Sequence, residues 1–110
     1  MASGRVATLQ LAATTLTSVY PVPSGTYGVY NISFTNTSSS SVTIRLAISS
    51  SPTSGSVQIN EYFEYGTTII PNGVFERTGI VIQANYYIYA YASVGSAVNV
   101  NVYGIETSTS

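Results

Sequence analysis

The sequence predicts an all-β protein: one antiparallel β-sandwich of seven to eight short strands, connected as a jelly roll or an Ig-like Greek key. Three observations predict it. Apolar and polar residues alternate strictly in several runs, as in Val98-Asn99-Val100-Asn101-Val102. Alternation of that kind gives a sheet two different faces, because successive side chains point to opposite sides. The runs recur at roughly 8–12-residue spacing between Gly, Pro, Asn and Ser clusters. No stretch carries the helical period. The pattern is densest over residues 74–106, where three extended runs follow one another almost without interruption.

Taken in order, residues 5–11 set Val6, Thr8 and Gln10 against Ala7, Leu9 and Leu11, a first strand with one apolar side. Residues 14–20 continue extended and β-branched, as a second segment at a sheet edge. Pro21-Val22-Pro23-Ser24-Gly25 ends that run, since proline lacks a ladder donor and glycine permits positive φ. Residues 27–36 place Tyr30, Ile32 and Phe34 on one face and Asn31, Ser33 and Thr35 on the other. Residues 37–41 read as a hairpin loop. Residues 42–48 are the clearest strand, with Val42, Ile44, Leu46 and Ile48 inward and Thr43, Arg45 and Ala47 outward.

Residues 49–56, with Pro52 and Gly55, form the longest loop. Residues 57–65 alternate again and predict a strand, followed by a short extended piece at 67–70. Pro71-Asn72-Gly73 is a turn, because Asn-Gly takes left-handed backbone angles readily. A strand over 74–83, a turn at Ala84-Asn85 and two closing strands with Gly95 at their hairpin complete the body. Residues 106–110 read as a polar tail.

A chain of 110 residues makes a single domain over 1–110, with 1–4 and 107–110 as terminal segments. It contains no cysteine, which excludes a disulfide framework and a thiolate metal site. Its charged side chains are Arg5, Arg45, Arg77, Glu61, Glu64, Glu76 and Glu106, for a net charge of -1. Three scattered arginines supply no basic groove for a phosphate backbone, so nucleic acid is not expected as a partner. No apolar run reaches the roughly 18 residues of a spanning helix, and no secretory leader opens the chain, so no membrane partner is expected.

Catalysis at neutral pH calls for a tuned proton carrier or nucleophile, and His, Cys, Lys and Asp are all absent. Glu61 and Glu64 are an odd number of residues apart, so a regular strand would turn them to opposite faces and defeat a paired-carboxylate site. The expectation is a protein without catalytic, cofactor-binding or metal-binding residues. The sequons Asn31-Ile32-Ser33 and Asn36-Thr37-Ser38 are what chance gives in a Ser/Thr-rich chain.

An isolated domain usually spreads charges over its surface, whereas this chain uses Ser, Thr, Asn, Gln and ten tyrosines. That composition suits a surface covered by neighbours in an assembly. The candidate interface residues are Tyr87, Tyr89 and Tyr91, on alternate positions of one strand, together with Arg77, Glu76 and Arg45. Tyrosine combines a large area with a hydrogen-bonding tip, and arginine bonds carboxylates and carbonyls at low hydration cost. The same tyrosine row is also open to a core role or to stacking on sugar rings.

Ser41-Val42-Thr43-Ile44-Arg45-Leu46-Ala47-Ile48-Ser49 and Asn72-Gly73-Val74-Phe75-Glu76-Arg77-Thr78-Gly79-Ile80-Val81-Ile82 carry a resemblance. So do Leu11-Ala12-Ala13, Tyr20-Pro21-Val22-Pro23-Ser24-Gly25 and Val102-Tyr103-Gly104-Ile105-Glu106. In these phrases, over about residues 9–106, the chain resembles small β-sandwich virion proteins of tailed bacteriophages of the cyanophage and marine-phage type. It departs from them in the tyrosine density of Tyr86-Tyr87-Ile88-Tyr89-Ala90-Tyr91. The resemblance implies a non-enzymatic capsid decoration, or cement, protein. Such a protein is made in the host cytoplasm and sits on the outer surface of the phage head as a homotrimer bound to the major capsid protein. It also implies, as an alternative, a fibre or knob module, for which the tyrosine row suggests binding of host-surface glycan; a tail or adaptor component would fit the size of the chain.

Overall fold

The computed structural model describes residues 3–108, the side chains from residue 4 onward. Eight strands are present among them: β1 (Ser3–Gln10), β2 (Thr17–Pro21), β3 (Thr26–Asn36), β4 (Val42–Ser49), β5 (Tyr62–Ile69), β6 (Val74–Ile82), β7 (Tyr87–Ala92) and β8 (Val98–Ser108). They form two four-stranded sheets, ordered β1-β8-β3-β6 (sheet I) and β2-β7-β4-β5 (sheet II). Every pairing between strands is antiparallel. The all-β sandwich expected from alternation is the fold.

Strand order decides between the two expected topologies. β1 pairs with β8, β2 with β7, β3 with β6 and β4 with β5. These are the pairs of one long antiparallel ribbon folded at the β4–β5 connection. Rolling that ribbon up adds the contacts β3–β8 and β4–β7, and the result is a jelly roll. The β4–β5 connection is therefore the one link that stays within a sheet. The expected hairpins at 37–41 and Gly95 are corrected by this order, since β3 and β4, and β7 and β8, lie in different sheets. The Asn-Gly turn is real, with Asn72 at φ 59° and the Gly73 amide bonded to the Ile70 carbonyl at 2.9 Å, but it too crosses between sheets.

Two further expectations change. Residues 57–61 are not strand: 3-10 turns occupy Ser54–Ser56 and Ile59–Glu61, and β5 starts at Tyr62 and runs through the piece expected separately at 67–70. Glu61 closes its turn as a capping box, its Oε1 accepting the Gln58 amide at 2.8 Å. That local bond competes with the ladder. Residue 106 is no tail either, because β8 continues to Ser108 beside β3.

The core fills the space between the sheets. Tyr30, Ile32 and Phe34 from β3 and Val98, Val100 and Val102 from β8 meet Val42, Ile44 and Leu46 from β4 and Ile88, Ala90 and Ala92 from β7. The four inner strands supply it and pair in unbroken register. All four edge strands are bulged: β1 at Val6, β2 at Val19, β5 at Phe63 and Gly66, and β6 at Thr78-Gly79. Gly66 and Gly79 hold φ of 90° and 69°, which a β-carbon would strain. Bulges twist an edge out of the plane that another strand would need for pairing.

Candidate functional site

The Tyr20–Glu106–Tyr30 cluster ties the sheets together at one end. Glu106 is only 7% exposed, and its Oε2 accepts hydrogen bonds from the hydroxyls of Tyr30 (2.7 Å) and Tyr20 (2.5 Å). Tyr20 belongs to sheet II and the other two to sheet I. Burial, reinforced by the hydrogen bond to Glu106 and its negative charge, pushes both phenol pKa values well above their ordinary value of 10.0. Gly28 and Gly104 make room for the Tyr30 ring: a β-carbon at Gly28 would lie 2.6 Å from its oxygen, and one at Gly104 would collide with the ring. The cluster holds both phenols in their protonated form, Tyr30 fully buried and Tyr20 partly, and binds the two sheets together.

A second polar link lies at the β5–β6 side. Arg77 leaves β6 on the inner side and reaches Glu64 of β5, Nε to Oε2 3.6 Å, with its guanidinium 5.5 Å from the Phe63 ring centre. That separation allows ionic attraction but is long for a hydrogen bond. Glu64 also accepts the Thr67 hydroxyl at 2.5 Å. Glu76, the neighbour of Arg77 in sequence, is exposed on the opposite, outer face of sheet I beside Ser33. The adjacent pair thus divides as strand geometry requires.

The tyrosine row faces outward from sheet II, with Ile88, Ala90 and Ala92 in the core. A core role for the row is corrected by this orientation. Tyr89 is nonetheless 1% exposed, because the 50–61 segment lies over it and its hydroxyl donates to the Ser51 carbonyl at 2.7 Å. Burial, with the charges of Tyr87 and Glu61 adding to it, raises its pKa. Tyr89 therefore has no area to offer another chain, and the interface expected there is withdrawn for that residue. Tyr87 and Tyr91 are half-buried on either side of it.

Arg45 stands between two rings in the register that pairs it with both neighbours, its guanidinium carbon 4.1 Å from the Tyr65 centroid and 4.5 Å from that of Tyr91. Cation–π attraction in this arrangement replaces a carboxylate partner. Tyr65 is 56% exposed and packs edge-on to Tyr62, centroids 4.9 Å apart.

The largest feature that sequence reading missed is on sheet I. The registers Val29↔Val81 and Val29↔Ile105 set three apolar side chains in one row across its outer face, with Tyr27 and Tyr103 in the adjoining rows. All five are exposed, Val81 at 68% and Ile105 at 69%. A shallow depression of about 440 Å³ opens among Gly4, Val29, Asn31, Tyr103, Gly104 and Ile105. Alternation had shown that each strand has two faces, but only register brings these residues side by side. Val74, paired with outward-facing Thr35, belongs to the same outer face. The other exposed apolar residues lie along β5 and its turn: Phe63 at the bulge beside Arg77, Tyr65 beside Arg45 and Ile70.

Of the two sequons, Asn36 is fully buried, its amide nitrogen bonded to the carbonyls of Ser40, Ile69 and Ile70, so it is closed to modification in the folded chain. Among the described residues no three His, Cys, Asp or Glu side chains gather as a metal site would need, and no helix is long and apolar enough to cross a membrane. The three arginines stand at separate places: the outer face of sheet I, the outer face of sheet II and the β5–β6 side. No protein-family model, curated protein or solved structure matches the chain.

Proposed function

We propose that this jelly roll is a non-enzymatic structural protein of a tailed-bacteriophage particle, a decoration protein that bridges subunits of the capsid shell. One observation carries the reading: a body with seven charged side chains exposes two separate apolar surfaces, one on the outer face of sheet I and one along the β5–β6 side. A clip needs at least two contact surfaces, and joining several weak contacts multiplies their effect through effective concentration. Uncharged surfaces of this kind bury without the desolvation cost of ions. The sequence phrases around β4 and β6 supply the phage context, and the bulged edges suit a protein that associates by its faces.

The test is made on the particle. Heads stripped of the protein should release packaged DNA at a lower temperature and regain stability when it is added back. Equal heat and chelator resistance in stripped and complete heads would overturn the reading. A second reading, a fibre or knob module that binds host-surface glycan, rests on the exposed Tyr65 ring beside Arg45. Glycan-array binding that disappears in Tyr65→Ala while the fold is retained would favour it. Tyr89, being covered, is unsuited to that test.

A further inference from the structure

We infer that the outer face of sheet I is a self-complementary interface on which a second copy of this chain docks, two copies being related by a twofold axis along the strands. The charges point to it. Arg45 lies between two tyrosine rings, Arg77 meets Glu64, Glu61 holds its turn and Glu106 accepts two phenols. Among the described residues, Arg5 and Glu76 are the two charged side chains left without a partner. Both are exposed, and both belong to the outer face of sheet I. Arg5 pairs in register with outward-facing Tyr103, and Glu76 with outward-facing Ser33. They stand on the two edge strands, β1 and β6, on either side of the apolar row.

A twofold axis along the strands sets β8 of one copy opposite β3 of the other, and β1 opposite β6. Ile105 then faces Val29 of the second copy, and Tyr103 faces its Asn31, since these pairs share rows of the register. Arg5 comes within one row, roughly 7 Å, of the second copy's Glu76, inside the reach of its side chain. The same contact repeats by symmetry, so two Arg5–Glu76 contacts form and each of the four charges gains one partner. Rotation about an axis across the strands would bring β1 against β1 and β6 against β6, so neither charge would meet its opposite.

The size fits. The face extends about 36 Å along an 11-residue strand and about 19 Å across four strands. On the order of 600 Å² per copy is available, near the roughly 800 Å² per partner of a standard interface. A self-complementary face closes as a pair, so this assembly takes the place of the trimer implied by resemblance. The inference is tested apart from the virion reading, on the purified chain alone; in the pair the outer face of sheet I joins the two copies, and the two β5–β6 sides stay free to hold two capsid subunits.

Sedimentation equilibrium of the purified chain should give twice its 11.6 kDa mass at high micromolar concentration. Arg5→Glu and Glu76→Arg should each weaken the pair by about tenfold, through like charges brought together. The double variant should recover most of that loss, which a merely structural role for either residue would not produce. Ile105→Glu, at an exposed site, should give a monomer with an unchanged circular dichroism spectrum. A monomeric wild-type chain at several hundred micromolar would overturn the inference. So would a trimer, or a dimer in which the charge exchange shows no recovery.

Discussion

The hydroxyl of Tyr30 and the carboxylate of Glu106, 76 residues apart in sequence, meet at 2.7 Å inside the sandwich. Tyr20 adds a second hydroxyl to the same oxygen from the opposite sheet, its ring 5.9 Å from that of Tyr30. A carboxylate at this depth keeps its place only where donors replace water. Removing it should therefore reveal how far the sheets depend on it. Glu106→Gln keeps an acceptor and should cost about 1–2 kcal/mol, whereas Glu106→Leu strands the buried Tyr30 hydroxyl and the partly buried one of Tyr20 and should cost more. Urea unfolding measures both. A wild-type midpoint in Glu106→Leu would return the residue to the status of a surface tail.

Alkaline pH should unfold the protein through the same cluster. The native pKa values of Tyr20 and Tyr30 lie above the unfolded value of 10.0, so the folded state holds these protons more tightly. The stability they contribute is complete below pH 10 and falls as pH rises toward the raised native values. Each phenol can remove up to about 1.4 kcal/mol per pH unit in that window. Urea midpoints compared at pH 8, 10 and 11 should fall slightly over the first interval and more steeply over the second, and the drop should shrink in Tyr30→Phe.

Gly104→Ala should be among the more damaging small substitutions. Its β-carbon would enter the space of the Tyr30 ring, which is fully buried and held by its hydroxyl. Overpacking of this type costs about 1–3 kcal/mol. In a Tyr30→Ala background the same substitution should cost less than it does in the wild type, since the obstructing ring is gone. A thermal melt that places Gly104→Ala level with wild type would show that the ring is free to move aside.

Asn36→Ala should loosen the crossing from β3 to β4. Its amide nitrogen donates to three carbonyls, at Ser40 (2.8 Å), Ile69 (3.1 Å) and Ile70 (3.2 Å), joining the end of sheet I to the end of β5. Its oxygen accepts the Ser38 amide and hydroxyl. The buried bond to the Ile69 carbonyl carries most of the cost, the Ile70 carbonyl keeping the Gly73 amide, and the loss should be about 1–2 kcal/mol. Asn31→Ala, an exposed position whose oxygen accepts the Gly79 amide, should cost clearly less. Amide exchange should speed up at position 36 and at Thr37, whose amides donate to the Gly73 and Ala97 carbonyls.

Much of the body was legible before any coordinate. Tyr30, Ile32 and Phe34 inward, Val42, Ile44 and Leu46 inward, and a turn at Asn72-Gly73 are all found. Ala47, read as outward, is buried as well, because the 49–61 connection reaches over that face, with Ser49 bonded to Glu61 at 2.9 Å and Tyr89 to Ser51. The same cover removed Tyr89 from the candidate interface. An alternating pattern tells which side of the sheet a residue takes, and says nothing of what is later laid over that side.

The sequence by itself determined the class: two-faced strands, an apolar core between sheets, turns at Pro, Asn and Gly, and a side-chain inventory without His, Cys, Lys or Asp. Those properties are local, since side-chain direction follows from the two-residue repeat of extended backbone. Only the tertiary structure decided which sheet each strand joins, that Glu106 lies under two tyrosines, and that Arg5 and Glu76 border one exposed apolar face. The reason is that a strand with one apolar side is equally satisfied beside its sequence neighbour or across the core from it. The choice is made by closing the whole ribbon at once, and every relationship that depends on it joins residues far apart in the chain.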